Sequence, residues 1–114
     1  MAETVLGVLV SGRGSNLQVI LDAIRVGRLQ VLIGAVISDN PDAQALTRLK
    51  GTDIPAICIE RGSFSQRDEF ENCLADSLLQ HGVNLVVLAG FMRLLGPVFL
   101  RRFRGRVMNI HPSL

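Results

Sequence analysis

Cysteine is scarce in this sequence, and its spacing speaks against a metal centre. Cys58 and Cys73 stand far apart, with no second pair and no histidine nearby, so a zinc site is not supported. Both lie in apolar or helical runs, where buried, reduced thiols are expected, and that fits a cytoplasmic compartment. Charge of one sign is lacking too. A net charge of +2 is too small to draw the chain to nucleic acid or to an anionic membrane. No apolar run approaches the ~18 residues of a membrane span. Met1-Ala2-Glu3-Thr4 lacks the basic stretch that opens a secretory signal. A soluble, intracellular protein is therefore expected. The apolar content is ordinary: 48% hydrophobic over 114 residues fits one globular domain with its own core. Arg101, Arg102, Arg104 and Arg106 cluster late. They read as the solvated face of a short helix and its following turn, with a contribution to an anionic ligand as the alternative.

Strand and helix signals alternate, the pattern of a parallel sheet with crossover helices. Val5 to Val10 is an apolar run of strand length, suited to burial on both faces. Ser15 offers an N-cap, Leu17, Ile20, Leu21 and Ile24 follow at helical spacing, and Gly27 ends that helix. Val31 to Ile37 is a second buried strand, closed by the turn Ser38-Asp39-Asn40-Pro41. Ala43 to Lys50 reads as a short helix with Ala45, Leu46 and Leu49 inward. Pro55 to Ile59 is a shorter strand nearer an edge, where a leading proline is tolerated. Ser65-Gln66-Arg67-Asp68 has capping-box spacing, and Phe70, Cys73, Leu74 and Leu78 make one helical face closed by His81-Gly82. Leu85 to Ala89, a helix from Pro97 to Phe103, and Val107 to Ile110 complete five strands and four helices. Right-handed crossovers give an α/β fold with an open, doubly wound, mainly parallel sheet.

Ligands of such sheets bind beyond the C-terminal strand ends. That rule selects Ser11 to Asn16, Gly90 to Leu95 and Asn109 to Ser113. In Ser11-Gly12-Arg13-Gly14-Ser15-Asn16, glycines allow close backbone approach and the helix N-terminus suits a phosphate. A glycine-rich turn with an N-cap is the plain alternative. A dinucleotide fingerprint would need a third glycine where Leu17 stands, and a Walker loop would need a lysine. Asp39 could mimic a ribose-binding acid, but the turn around it is the simpler explanation. Alternation puts Asn109 and His111 on one side of an extended segment, where an amide can steady an oxyanion and an imidazole can move a proton. A structural or exposed histidine is the alternative. Phe91, Met92 and Leu94 could equally be core residues of a strand-to-helix connection.

Three strings carry a resemblance. Ser-Gly-Arg-Gly-Ser-Asn-Leu-Gln resembles the phosphate loop of glycinamide ribonucleotide formyltransferases. Ala-Gly-Phe-Met-Arg-Leu-Leu-Gly-Pro at 89–97 is similar to their folate-side loop, and Asn-Ile-His-Pro-Ser-Leu to the signature of folate-dependent formyltransferases. The resemblance covers the whole chain, which corresponds to roughly the first half of the family's catalytic domain. It implies a Rossmann-like formyltransferase fold and formyl transfer from 10-formyltetrahydrofolate to the amine of 5′-phosphoribosylglycinamide, in purine biosynthesis and without metal. By resemblance Gly14, Ser15, Asn16, Gly90 and Pro112 bind phosphoribosylglycinamide. Arg67, Met92, Arg93, Leu94, Leu95 and Asn109 bind the folate, with Leu100 and Val107 as apolar wall, and His111 and Asn109 are catalytic. The partners expected are small-molecule substrates and a C-terminal half or complementing fragment carrying the catalytic aspartate, with a homodimer left open. The 114-residue chain by itself is expected to keep the phosphate site and have little transferase activity. A 10-formyltetrahydrofolate hydrolase, a non-catalytic nucleotide-binding module and, more remotely, a nicotinamide dehydrogenase are the competing readings.

Overall fold

The computed structural model describes residues 3–110. His111 and Pro112, two of the expected site residues, lie outside them. Five parallel strands alternate with helices in chain order. These are β1 (Val5–Val10), α1 (Ser15–Arg25), β2 (Leu32–Ser38), α2 (Gln44–Thr47), β3 (Ala56–Cys58), α3 (Arg67–Gln80), β4 (Leu85–Leu88), α4 (Pro97–Arg102) and β5 (Val107–Asn109), with one 3-10 turn at Arg61–Ser63 before α3. The sheet order is β3-β2-β1-β4-β5. Every pairing in it is parallel.

Alternation along the strands sorts the core into two layers, because successive side chains leave a strand on opposite faces. Leu9, Ile37 and Val86 meet Phe70, Leu74 and Leu78 of α3 and Phe99 of α4 on one face. Leu6, Val8, Val10, Val36 and Val87 meet Leu17 and Ile20 of α1 and Ala45 on the other. Burial on both faces is why β1 and β2 read as nearly unbroken apolar runs.

Several local expectations are corrected. The N-cap of α1 is Gly14, not Ser15, and no side chain caps it. The capping box of α3 belongs to Gln66 and Glu69, one residue later than the Ser65 spacing suggested. The stretch from Ala43 to Lys50 forms a single α turn, Gln44–Thr47, followed by further turns. Cys58 is exposed and Cys73 half-buried, so neither is the buried thiol expected. β3 lies at the sheet edge with its side chains partly open, and β5 is also half-open, since Met108 and Asn109 face outward. Of the late arginines, Arg102 forms an ion pair with Asp76 of α3 at 2.7 Å.

Candidate functional site

The strand order places the topological switch between β1 and β4. The chain leaves β1 toward β2 on one side and β4 toward β5 on the other, so the loops after β1 and β4 part above a crevice. These are residues 11–14 and 89–96.

The first loop ends in Gly14, whose φ of 81° is left-handed. A side chain is excluded there: a Cβ would lie 2.6 Å from the Ala45 Cα. The Ala45 N–H donates to the Gly12 carbonyl at 3.0 Å. Arg48 Nε donates to the Arg13 carbonyl at 2.7 Å. The loop is thus held from outside by α2 and its C-cap residue. Without a side-chain cap, the first-turn N–H groups of α1 remain open to a ligand, and the dipole there favours an anion. Ser15 is exposed and Asn16 half-buried at this end. Ser11 is different. It is buried, donates to Asp39 Oδ1 at 2.7 Å and accepts from the Met92 N–H at 2.9 Å.

The second loop turns at Gly90, with φ 76°. Beyond it, Met92 and Leu94 are 81% and 90% exposed, which removes the reading of these side chains as core. Between them Arg93 turns inward to Asp39, Nε to Oδ2 2.6 Å, with its guanidinium 5.9 Å from the Phe70 ring centre. Leu95 packs against the α3 side of the core. Arg67 Nη2 donates to the Leu94 carbonyl at 2.9 Å, and its Nε pairs with Glu71 at 2.9 Å. Glu71 is only 1% exposed and accepts two backbone N–H groups, from Gly96 at 2.7 Å and Phe99 at 3.0 Å.

Among the described residues, two of the cavities border the expected folate contacts. One of about 340 Å³ is lined by Arg61, Arg67, Phe70, Glu71, Met92, Arg93 and Leu94. The other, of about 400 Å³, lies between α4 and β5 and includes Pro97, Leu100, Phe103 and Val107. The expected folate contacts therefore divide: Arg67, Met92, Arg93 and Leu94 border one space, Leu100 and Val107 another. Asn109 is exposed at the end of β5, paired in register with Leu88. Its geometry toward His111 falls outside the described residues. Among the described residues no group of three or more His, Cys, Asp or Glu could hold a metal ion, and no helix is long and apolar enough to cross a membrane.

Burial, followed by the nearby Glu60, Asp39 and Asp42 charges, raises the pKa of the Cys58 thiol above its ordinary value. Burial and then Asp76 do the same at Cys73. Neither thiol is poised as a nucleophile.

Sequence reasoning missed Glu71 and Arg48, gave Ser11 no role beyond its place in the first loop, and read Asp39 as part of a turn. The Arg67–Glu71 spacing of four residues in a helix was a usable signal. The contacts of Asp39 and Arg48 join segments distant in the chain and leave no such trace.

Residues 5–114 match the family model described as formyl transferase. The chain is 44% identical over 109 residues to a phosphoribosylglycinamide formyltransferase of Haemophilus influenzae, covering 96% of this chain and 51% of that protein. It is 39% identical to the Escherichia coli protein of the same name, covering 94% of this chain and 50% of that one. A glycinamide ribonucleotide transformylase from Symbiobacterium toebii superposes with a TM-score of 0.92 at 43% identity, over 98% of this chain and 53% of that chain. The chain thus spans about half the length of these relatives.

Proposed function

This chain belongs to the formyl transferase family, and we propose that it forms the phosphate-binding part of a phosphoribosylglycinamide formyltransferase. The family uses a folate formyl donor, here 10-formyltetrahydrofolate, and the acceptor is the amine of 5′-phosphoribosylglycinamide in purine biosynthesis. One observation carries the choice of acceptor. The uncapped N-terminus of α1 follows a left-handed Gly14 at the switch point, directly across from the 90–95 loop. A hydrolase acting on the folate alone would have no use for that phosphate cradle.

The chemistry needs no protein nucleophile. The neutral amine of the acceptor attacks the formyl carbon, forming the new C–N bond and a tetrahedral oxyanion. Collapse breaks the bond to the folate nitrogen, which takes up a proton while the attacking nitrogen gives one up. In this reading Asn109 donates to the oxyanion, and His111, as imidazolium, steadies it and relays the proton. Gly14, Ser15 and Asn16 hold the phosphate, with Gly90 and Pro112 alongside the acceptor. Arg67, Met92, Arg93, Leu94 and Leu95 contribute to the folate side, Met92 and Leu94 by their exposed side chains, with Leu100 and Val107 as apolar wall. Side-by-side binding of the two substrates supplies the orientation term, worth several kcal/mol.

The test is calorimetric and kinetic, on the protein that contains this chain. 5′-Phosphoribosylglycinamide should bind, and Gly14→Val should abolish binding. Asn109→Ala should keep acceptor binding but lower turnover about a hundred- to thousandfold. Formate release at the full rate without any acceptor would instead identify a hydrolase.

A further inference from the structure

Asp39 follows β2 with a side chain only 7% exposed, unusual for the second residue of a surface turn. The turn itself does not require it. Ser38 Oγ donates to the Asn40 carbonyl at 2.8 Å and accepts from the Asn40 N–H at 3.0 Å, and Asn40 Oδ1 accepts from the Asp42 N–H at 3.0 Å. Asp39 is left to act elsewhere. Its Oδ1 takes the Ser11 hydroxyl at the end of β1, and its Oδ2 takes Arg93 in the loop after β4. Ser11 Oγ closes the circuit by accepting from the Met92 N–H. One carboxylate therefore ties three strand ends together across the crevice. Because 93 is drawn inward, its neighbours 92 and 94 are turned out into the open space.

We propose that Asp39 is a positioning residue that sets the 90–95 loop against the phosphate loop, and so fixes the formyl donor relative to the acceptor. The proposal rests on the function proposed above. The phosphate loop has its own supports in Arg48 and Ala45. Loss of Asp39 should therefore be felt on the donor side alone.

Asp39→Asn keeps the shape and an acceptor for Ser11 but removes the charge facing Arg93. Steady-state kinetics should show KM for the formyl donor raised about tenfold, as for loss of one charge-assisted contact, with KM for the acceptor changed by less than about twofold. Arg93→Met should give the same defect, and the double variant should be no worse than either single, because the pair acts as one unit. Ser11→Ala is the milder variant, removing only the hydroxyl, and should shift donor KM in the same direction. Amide exchange in the 92–95 segment should quicken in Asp39→Asn and Ser11→Ala while that of residues 15–17 stays unchanged. Equal rises in both KM values, multiplying effects in the double variant, or unaltered exchange at 92–95 would overturn the proposal. If the wild-type protein transfers no formyl group, the functional reading fails, and the exchange comparison still decides the role of Asp39.

Discussion

Glu71 illustrates how much one residue can hold. Its carboxylate is the acceptor for Arg67 Nε and for the backbone N–H groups of Gly96 and Phe99, all in a nearly dry setting. Arg67 is half exposed, so the ion pair itself contributes little. What matters is the pair of buried amides that would lose their acceptor, at about 1–3 kcal/mol each. Glu71→Ala should therefore destabilise the fold by about 3 kcal/mol or more in urea unfolding. Glu71→Gln, which turns an amide NH2 toward one of those donors, should cost about 1–3 kcal/mol. A Gln variant as stable as wild type would show that the carboxylate is not the anchor. Cys58 gives a second expectation at this scale. It is exposed yet its pKa is raised, so less of it is thiolate at any given pH. Alkylation by iodoacetamide should be slower than for a free cysteine near neutral pH and should keep accelerating above the pH where an ordinary thiol levels off. Each residue was only partly legible in the sequence: the four-residue spacing of Arg67 and Glu71 and the edge position of the 55–59 strand could be read, the burial of Glu71 and the exposure of Cys58 could not. A helical acid reads as solvated by default, and an apolar strand suggests buried side chains even where, as at Cys58, an edge position leaves one open.

At the scale of elements the sequence was more readable, for a physical reason. β1, β2 and β4 are buried on both faces and must be apolar nearly throughout, and α1 must carry a stripe at helical spacing. Boundaries were less readable. The start of α1 depends on a left-handed backbone at Gly14, whereas Ser15 only looks like a cap. The box at α3 is shifted by one: Gln66 is the extended N-cap residue and shares the box with Glu69, while Ser65 Oγ donates to the same Glu69 carboxylate at 2.9 Å. The loops bordering the crevice were legible as the segments after β1 and β4, yet the division of the expected folate contacts between two cavities was not. That division depends on where α4 packs. Two substitutions probe these elements. Gly14→Ala combines a left-handed φ with a collision against the Ala45 backbone, so it should weaken acceptor binding and stability together. Gly34→Ala, in β2, would set a Cβ 2.6 Å from the His81 carbonyl oxygen, where strand and helix end meet. It should cost about 1–3 kcal/mol with acceptor affinity retained. Gly62→Ala, in open space, is the control and should alter neither.

The whole molecule is organised around β1, and that gives its stability a direction. β1 is paired along its length by β2 on one side and β4 on the other, and its side chains enter both core layers. β3 is the opposite case: three residues, one neighbour, two of its three side chains exposed. Local opening frees an amide when few apolar contacts oppose it, whereas an amide enclosed on all sides exchanges only when the domain unfolds. Amides of Leu6 to Val10 should therefore exchange at the rate set by global unfolding, and should slow or quicken in step with urea stability across variants such as Glu71→Ala. Amides of Ala56 to Cys58 should exchange faster by at least about a hundredfold, a gap corresponding to roughly 3 kcal/mol, and should ignore Glu71→Ala, because an edge strand exchanges through local opening and not through global unfolding. The two loops bordering the crevice hang from β1 and β4, not from the edges, so their spacing inherits the rigidity of the centre. Equal protection of β1 and β3 would mean that the sheet opens as a unit, and the crevice would then owe its shape to the loop contacts of Asp39, Glu71, Arg48 and Ala45.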